Sequence, residues 1–507
     1  MSENRTNTIA KNTALLYMRS VIVIVLSIYT SRVLLDYIGV EDFGLYNVVG
    51  GVVALFLTLK NVFAASVQRF INFEKGKGNF EKVQEIFNTS VYIHIGIAIL
   101  FLIIVEVFGL YYIPNHLVVP DGRMSAALFV FHCSVIATAI SIITIPYDAV
   151  IIANERMNFY AWLSIGDTIL KLLFIFLLPL FPFDYLCSYA VLILLLSLGM
   201  RFISMWYTKR FPECKPLKVW KKSTVTQLTK FAGWNFFGCM ASSLIEEGSN
   251  MILNLFGGVV ANASRAIAYQ IRNAIISLSG NIVVASQPFI VQKAASADKA
   301  NFWSYIFQQS RAVFFMIALT VLPIYTYTQE ILSLWLKEVP DNAETFVHAV
   351  LIYVVVMSFQ KSLDLAFKSY NKMPVYQIFD TCITLLSLPL IYVVLKYDAP
   401  LYSAFLVMSF VRLVDYIVVV IIGKIQLNLP VLTFTRDVVL PTFVTIAILA
   451  VVGFLFFLLP PVSNIFVLAV LAMLNFSSGC LAVYFIILNT KEKELVNKMI
   501  SKILKRK

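Results

Sequence analysis

The chain has 507 residues, of which 60% are apolar and only 13% are charged. A soluble domain carries about 25% charged residues, so this composition excludes an ordinary soluble protein and indicates that lipid solvates much of the surface. The net charge of +12 would suggest nucleic acid as the partner of a soluble protein, but basic residues in a membrane protein mark its cytoplasmic loops. We therefore expect the lipid bilayer, and no nucleic acid, as a partner.

Fourteen apolar segments follow one another along the chain, each close to the roughly 20 residues that a transmembrane helix needs. The predicted spans, one to fourteen, are residues 13–35, 44–68, 89–112, 125–150, 160–180, 185–208, 231–256, 266–290, 303–327, 346–367, 374–395, 400–423, 438–459 and 464–488. The first is too long for the apolar part of a cleavable signal peptide. Spans two, seven and eight are rich in small and polar residues, which is typical of helices that face protein or a water-filled cavity.

Basic residues decide the predicted orientation. With the N-terminus inside, the inside segments hold 27 Lys and Arg residues and the outside loops hold 4. Because cytoplasmic loops carry the excess of Lys and Arg, we expect both termini in the cytoplasm. The tail, residues 490–507, has Leu495, Met499, Ile503 and Leu504 at helical spacing among lysines. This pattern predicts a basic amphipathic helix on the inner leaflet, with a solvated basic tail as the alternative.

An internal repeat relates the two halves of the chain. At offsets of 219, 216 and 213, the matched pairs are Lys11 and Lys230, Gly39 and Gly258, Val40 and Val259, Gln68 and Gln287, Phe70 and Phe289, Ile71 and Ile290, Asp148 and Asp364, Arg156 and Lys372, Met157 and Met373, Tyr160 and Tyr376, Asp167 and Asp380, and Thr168 and Thr381. The repeat unit is six helices, and an even number gives both copies the same orientation, as in transporters with a cavity between two bundles. A duplicated structural protein without transport is the alternative.

The repeat sets the predicted domains. Residues 1–210 form the first six-helix bundle, and residues 211–226 form a basic cytoplasmic linker. Residues 227–425 form the second six-helix bundle. Spans thirteen and fourteen, residues 426–489, lie outside the repeat and precede the tail.

Nine Lys and Arg residues fall inside the predicted spans. A cation at the bilayer centre costs about 2.5–3.5 kcal/mol even on the most lenient scale, so each needs a partner or water. Four have an acid one helical turn away; they are Lys171 with Asp167, Lys361 with Asp364, Arg412 with Asp415, and Arg32 with Asp36. The first three are interpreted as structural ion pairs. Arg32 lies nearer the outer mouth and fits either a structural or a binding role.

Five intramembrane cations have no acid on their own span: Arg19, Lys60, Arg201, Arg272 and Arg311. By the repeat, spans one, two, seven and eight line the interface between the bundles, so these residues predict a cationic cavity that attracts an anion. The planar fork of Arg suits phosphate in particular, because it can bind two oxygens at once. The alternatives are pairing with acids on other helices and snorkelling to the membrane surface.

Two adjacent acids, Glu246 and Glu247, lie in a polar part of span seven. Adjacent helical residues point about 100° apart, so at most one needs to face a cavity. One of them either forms a salt bridge with a cavity arginine or binds a coupling ion, since a desolvated carboxylate can exchange protons near neutral pH.

Motifs of catalysis are absent from the sequence. It has no Walker A motif or Gly-rich nucleotide loop, its four histidines have no metal-ligand spacing, and its six cysteines form no CxxC pair. We therefore expect no catalytic residue, metal or cofactor and no direct use of ATP. The longest predicted outside loop, residues 329–345, is too short for a catalytic domain. A carrier is favoured over an enzyme.

The segments Lys11 to Gly51 and Ile151 to Trp162, together with the six-helix repeat, resemble the multidrug/oligosaccharidyl-lipid/polysaccharide (MOP) exporter superfamily. Within it, the chain looks like a Wzx-type polysaccharide flippase. The resemblance implies an all-α, MATE-like fold of about fourteen transmembrane helices, with two pseudo-symmetric six-helix bundles plus two C-terminal helices, in the inner membrane of a bacterium.

The resemblance also implies a substrate. Flippases of this type move an undecaprenyl-pyrophosphate-linked oligosaccharide from the cytoplasmic to the periplasmic leaflet for O-antigen or capsule assembly, alongside a polysaccharide polymerase. Cavity cations hold the head group, which assigns that role to Arg19, Arg32, Lys60 and Arg272, with Arg311 as a further candidate. In the related lipid II flippases the last two helices form a groove for the prenyl tail, and spans thirteen and fourteen are similarly placed. The alternatives are a MATE-like drug or cation antiporter, which predicts an acidic cavity, and a lipid II flippase.

Overall fold

The computed structural model describes residues 2–76, 78–154, 156–217, 221–295, 299–370, 372–459, 464–488, 492–494 and 497. Helix accounts for 88% of the chain, and the described residues contain no strand. Most of the predicted amphipathic tail, residues 490–507, lies outside the described residues.

The α-helices of the described part are numbered in chain order. They are α1 (Ser2–Gly76), α2 (Phe80–His116), α3 (Met124–Ile143), α4 (Ile145–Ala153), α5 (Met157–Leu177), α6 (Tyr185–Thr208), α7 (Lys222–Ala295), α8 (Lys299–Thr326), α9 (Thr328–Trp335), α10 (Ala343–Ser358), α11 (Lys361–Ser369), α12 (Met373–Leu385), α13 (Ser387–Lys396), α14 (Ser403–Leu427), α15 (Val431–Phe434), α16 (Leu440–Phe457) and α17 (Ile465–Ala482). The segments Thr435–Val439 and Val483–Ile487 are π-helical.

Twelve helical stretches in the described part are long and apolar enough to cross a membrane. The prediction of an all-α polytopic membrane protein is therefore confirmed. Two of the stretches, Met18–Val53 and Met240–Ser277, each overlap two of the fourteen predicted spans. They belong to α1 and α7, where the helix continues past the predicted boundary between spans.

Each of these two long helices is kinked at one glycine. Gly39 in α1 has φ 77° and ψ 171°, and Gly258 in α7 has φ 62° and ψ −166°. Glycine adopts positive φ at no steric cost, whereas a side chain would be strained there. These glycines are a matched pair of the sequence repeat, and each lies between two predicted spans. The repeat therefore extends to the backbone geometry at this position.

The described chain divides into two compact units. The first consists of Met1–Ala266, Leu336–Asp341 and Leu388–Leu401. Its main core contains Leu45, Val48, Val49 and Val52 of α1, packed against residues of α2, α3 and α6. These four residues repeat at helical spacing on one face of α1, and apolar residues at that spacing form a face that packs on neighbouring helices.

The second unit consists of Ile267–Trp335, Asn342–Ser387 and Tyr402–Lys507. Its largest core is rich in aromatic rings, including Phe302 and Phe307 of α8, Phe367 of α11 and Phe434 of α15. Predicted span eleven is divided where this unit's segment Asn342–Ser387 ends, because α12 ends at Leu385 and α13 starts at Ser387. Pro389 explains the break, since its ring nitrogen cannot donate to the carbonyl of Leu385, four residues earlier. The predicted bundle boundaries at residues 210 and 425 stay a prediction.

Candidate functional site

The α1 and α7 backbones approach closely inside the first unit. A methyl group at Gly44 would lie 1.9 Å from the carbonyl oxygen of Val259, and one at Gly51 would lie 2.7 Å from both Asn250 Nδ2 and Glu247 Oε2. Gly44 and Gly51 are seven residues apart and therefore share one helical face. Small residues on one face allow membrane helices to pack backbone against backbone.

A buried asparagine network surrounds the Gly258 kink. Asn262 Nδ2 donates to the carbonyl oxygen of Asn250 at 2.9 Å and to its Oδ1 at 2.8 Å. Asn254 Nδ2 donates to Asn262 Oδ1 at 2.9 Å, and Asn254 Oδ1 accepts from the backbone amide of Val118 at 2.7 Å. Asn254 and Asn262 are fully buried. Because the bonds connect residues on both sides of Gly258, they hold the two arms of α7 together and fix one arm to the end of α2.

Ionic contacts lie beside the predicted outer ends of these helices. Arg123 Nε donates to Asp42 Oδ1 at 2.8 Å, and Arg123 Nη1 donates to Asp184 Oδ2 at 2.5 Å. Asp36, predicted as a neighbour of Arg32, forms a salt bridge with Lys337. These pairs link the predicted outside loops of the first unit to α1 and α6.

Three predicted substrate-binding residues belong to α1 in the first unit. Arg19 is half-buried, and its guanidinium lies 5.5 Å from the centroid of the Tyr160 ring on α5. Arg32 is half-buried farther along α1. The side chain of Lys60 lies outside the described part of the chain. The role of all three residues in substrate binding stays a prediction.

Glu246 and Glu247 are both half-buried in α7. The carbonyl oxygen of Glu246 accepts from Arg265 Nη2 at 2.6 Å, and Glu247 Oε2 lies 3.5 Å from Asn250 Nδ2. The two acids thus sit next to the asparagine network and the Gly51 contact. Their roles as coupling-ion ligands or salt-bridge partners stay predictions.

The other two predicted binding residues, Arg272 and Arg311, are buried in the second unit. The Arg272 guanidinium lies 4.7 Å from the centroid of the Tyr269 ring and 5.9 Å from that of Tyr353. Arg311 pairs with Glu492 at 2.8 Å. It also donates to two main-chain carbonyl oxygens, that of Asp437 at 3.2 Å and that of Ile487 at 3.0 Å. Arg311 therefore joins α8 to the ends of the last two spans.

The predicted same-helix ion pairs are formed in two of three cases. Lys171 pairs with Asp167 at 2.7 Å, and Arg412 pairs with Asp415 at 3.0 Å. The third predicted pair is Lys361 with Asp364, but Asp364 accepts instead from the Tyr376 hydroxyl of α12. Cross-helix pairing, the stated alternative for cations without a local acid, occurs at Arg201, which donates to Asp148 at 2.6 Å and to Ser141 at 3.2 Å.

A polar cluster in the second unit extends from Asp364 to Asp415. Gln360 Nε2 donates to the Tyr376 hydroxyl oxygen at 3.1 Å and to Asp380 Oδ1 at 2.8 Å. Arg412 Nη1 donates to Asp380 Oδ1 at 2.9 Å. The spacing of Arg412 and Asp415 predicts their ion pair but not the cluster, because its members come from three helices and meet only through helix packing.

An apolar groove of about 950 Å³ lies in the second unit between α7, α8 and α17. Rings and aliphatic side chains form most of its wall, including Phe315 and Leu319 of α8 and Phe476 of α17. Its polar lining residues include Gln308 and Gln309 near the predicted cytoplasmic end of α8, and Glu492 and Asn497 of the tail. Glu492 is also the partner of Arg311. The groove therefore joins a long apolar surface to a polar end.

Comparison with known proteins bears on both fold and family. The structure is similar to a MATE family multidrug resistance transporter of the MOP superfamily, with a TM-score of 0.71 and 11% identity over 80% of this chain and 94% of that chain. It is similar to the lipid II flippase MurJ, with a TM-score of 0.68 and 11% identity over 94% and 99%. A MOP superfamily transporter from Pyrococcus furiosus, described as having a binding pocket of reverse polarity, gives a TM-score of 0.60 and 13% identity over 82% and 96%. No curated protein sequence matches the chain.

These likenesses define the class: the chain is a polytopic membrane protein with the fold of the MOP superfamily transporters. The sequence model of one family, described as polysaccharide biosynthesis protein, matches residues 9–294, which is more than half of the chain. The chain belongs to this polysaccharide biosynthesis protein family. The predicted resemblance to the MOP superfamily and to its polysaccharide branch is thus confirmed.

Proposed function

We propose that this protein is a flippase that moves an undecaprenyl-pyrophosphate-linked oligosaccharide from the cytoplasmic to the periplasmic leaflet of the inner membrane for surface polysaccharide assembly. The observation that carries the proposal is the long apolar groove with a polar end, in a member of the polysaccharide biosynthesis protein family. The apolar tail of a lipid-linked substrate matches the groove.

The tail is the first half of the argument. A prenyl chain stays in hydrocarbon at no cost, but it has to follow its head group while the head crosses the membrane. Phe315, Leu319 and Phe476 offer the tail an apolar surface along the groove. The likeness to the lipid II flippase MurJ covers 94% of this chain, which supports a lipid-linked substrate over a drug-like cation.

The head group is the second half. A diphosphate cannot enter hydrocarbon with its charge exposed, because isolated charges are costly there. Arg19, Arg32, Lys60 and Arg272 would replace its water shell in the predicted cationic cavity, and the bidentate geometry of Arg suits phosphate oxygens. Alternation of the two bundles would then turn the head outward. Arg311, which pairs with the groove residue Glu492, is a further candidate.

Deletion of the gene tests the class of substrate. We expect undecaprenyl-pyrophosphate-linked oligosaccharide to accumulate at the cytoplasmic face, identified by mass spectrometry of extracted lipids, and surface polysaccharide to disappear. Accumulation of lipid II would assign the protein to cell-wall synthesis instead. A loss of drug resistance with normal surface glycan would favour the antiporter alternative. The intramembrane cations argue against that alternative, because it predicts an acidic cavity.

Alanine variants test the assigned cations. We expect Arg19→Ala, Lys60→Ala and Arg272→Ala each to abolish surface glycan while the protein stays in the membrane at the normal amount. Lys424→Ala is the matched control, since Lys424 is exposed at the end of α14 and its loss removes the same charge away from the proposed cavity. Full export by all three variants would remove the cationic site from the proposal.

A further inference from the structure

The polar cluster of the second unit contains two neighbouring carboxylates that have no role in the proposed binding of the substrate head group. Its members are Gln360, Asp364, Tyr376, Asp380, Arg412 and Asp415. Two of them, Asp380 of α12 and Asp415 of α14, accept from the same guanidinium nitrogen, Arg412 Nη1, at 2.9 and 3.0 Å. Two carboxylates are thus held side by side on a single cation; they are called the aspartate pair below.

Arg412 Nη1 faces more acceptors than it has hydrogens. Arg412 Nη1 carries two hydrogens, but three oxygens face it: one from each member of the aspartate pair and Gln360 Oε1 at 3.3 Å. Asp415 is fully buried, and its Oδ1 finds no donor among the described residues. Because both acids accept from Arg412 Nη1, this carboxyl is a direct neighbour of Asp380. A buried acceptor without a donor is destabilising, and a protonated carboxyl would supply the missing donor.

We propose that the aspartate pair is a proton-binding site, in which one proton is shared between Asp415 and Asp380 beside Arg412. Like charges this close do not both ionise readily, and the shared proton gives the pair a net charge of −1 opposite the guanidinium. Release of the proton breaks one O–H bond and transfers the proton to water, which leaves two carboxylates on one cation. Uptake reverses the step, and no oxidant or reductant takes part.

The position of Arg412 favours a proton over a metal ion. A guanidinium in contact with both carboxylates repels a second fixed cation, whereas a proton sits within the hydrogen bond between the acids. The described part of the chain contains no group of three or more His, Cys, Asp or Glu side chains arranged to hold a metal. Besides Asp364 and Tyr376 of the cluster itself, the titratable or charged groups near the aspartate pair include Lys361 and Lys368 of α11, Tyr353 of α10 and Arg272 of α7.

The site is connected to a residue assigned to the substrate head. Arg272 lies over the Tyr353 ring, and Tyr353 in turn faces Arg412. A change of charge at the aspartate pair would therefore reach Arg272 through one aromatic side chain. This consequence for transport rests on the proposed function, whereas the proton site itself does not.

Infrared difference spectroscopy tests the site without any substrate. The full-length protein is placed in lipid nanodiscs, and spectra are recorded as the pH is raised through neutrality. We expect a C=O stretching band of a protonated carboxyl at the lower pH that is lost at the higher pH. Both Asp415→Asn and Asp380→Asn should remove the band, because each leaves a single carboxylate paired with Arg412.

Asp167→Asn is the matched control, because Asp167 is an intramembrane aspartate with its own cation, Lys171. It should leave the band intact. If neither variant of the pair folds, carboxyl-¹³C aspartate in the wild-type protein should shift the same band. No titrating aspartate band in the wild type, or a band that survives both Asp415→Asn and Asp380→Asn, would overturn the proposal. Because the spectra need no transport, their outcome is independent of the gene-deletion result.

Discussion

Asp184 stabilises the start of α6 in two ways that a substitution can separate. Its Oδ1 caps the helix by accepting from the backbone amide of Cys187 at 3.0 Å, and its Oδ2 pairs with Arg123. Asn can retain the cap but loses the charge, whereas Ala loses both. We expect Asp184→Asn to cost up to about 1 kcal/mol, since the pair is partly exposed, and Asp184→Ala to cost about 1 kcal/mol more. Thermal unfolding of the purified protein measures both.

The same side chain predicts a pH dependence. Burial by itself raises the pKa of Asp184, but its hydrogen bonds with Arg123 and the Cys187 amide outweigh that effect and hold the pKa below the ordinary 3.8. A carboxyl whose pKa is depressed by folding adds stability above its unfolded pKa and loses it as the pH falls through the folded pKa. The difference in the free energy of unfolding between wild type and Asp184→Asn should therefore be full at neutral pH and shrink below pH 3.8.

Single residues also show why charge alone does not identify a substrate site. Arg311 was a candidate because no acid lies on its own span, yet Glu492 and two main-chain oxygens surround its guanidinium. Arg19 and Arg272 instead have aromatic rings beside them. A charged side chain thus has different surroundings at each candidate position, which the sequence alone does not specify.

At the scale of helices, the α1–α7 contact depends on the absence of a side chain at Gly44. The nearest obstacle to a methyl group is the main-chain oxygen of Val259, which cannot rotate away as a side chain would. Gly44→Ala must therefore push the two helices apart, and overpacking typically costs about 1–3 kcal/mol. We expect a lower unfolding temperature of the detergent-purified protein, measured by size-exclusion chromatography after heating.

Gly50 provides the control for this substitution on the same helix. A methyl group there meets no atom within 4 Å, so Gly50→Ala adds only helix propensity, worth roughly 0.5–1 kcal/mol in favour of the helix. The two variants should shift the unfolding temperature in opposite directions. Equal shifts would show that the close approach of α1 and α7 does not limit stability.

Helical elements were the most predictable part of this protein, for a physical reason. A membrane span must satisfy its own backbone hydrogen bonds, so a long apolar segment has few structures other than a helix. The glycine pair Gly39 and Gly258 was visible as part of the repeat. The positive φ of these two glycines could not be predicted, and neither could the continuation of α1 and α7 through them. The sequence pattern does not specify the angle at which two helices join.

For the whole molecule, the predictability of contacts depended on their range. Lys171–Asp167 and Arg412–Asp415 could be predicted because helical spacing places both partners on one face. The Arg201–Asp148 and Arg311–Glu492 pairs could not, because their partners are set by how different helices pack. The Asn262 network was missed for the same reason, although asparagines in an apolar span were a usable signal, since a polar group there needs a partner. The groove likewise required the packing of α8 against α17.

Orientation in the membrane is the property of the whole chain that the distribution of charge predicts most directly. With 27 basic residues on one side and 4 on the other, an inverted arrangement would place most of the charge on the translocated side, against the rule that governs insertion. We expect a fluorescent protein fused after Lys507 to fluoresce in the cytoplasm. Alkaline phosphatase inserted after Pro340, in a predicted outside loop, should be active because that loop lies in the periplasm. Phosphatase activity from a fusion at Lys507 would reverse the topology and place the groove's polar end on the wrong side for a lipid loaded in the cytoplasm.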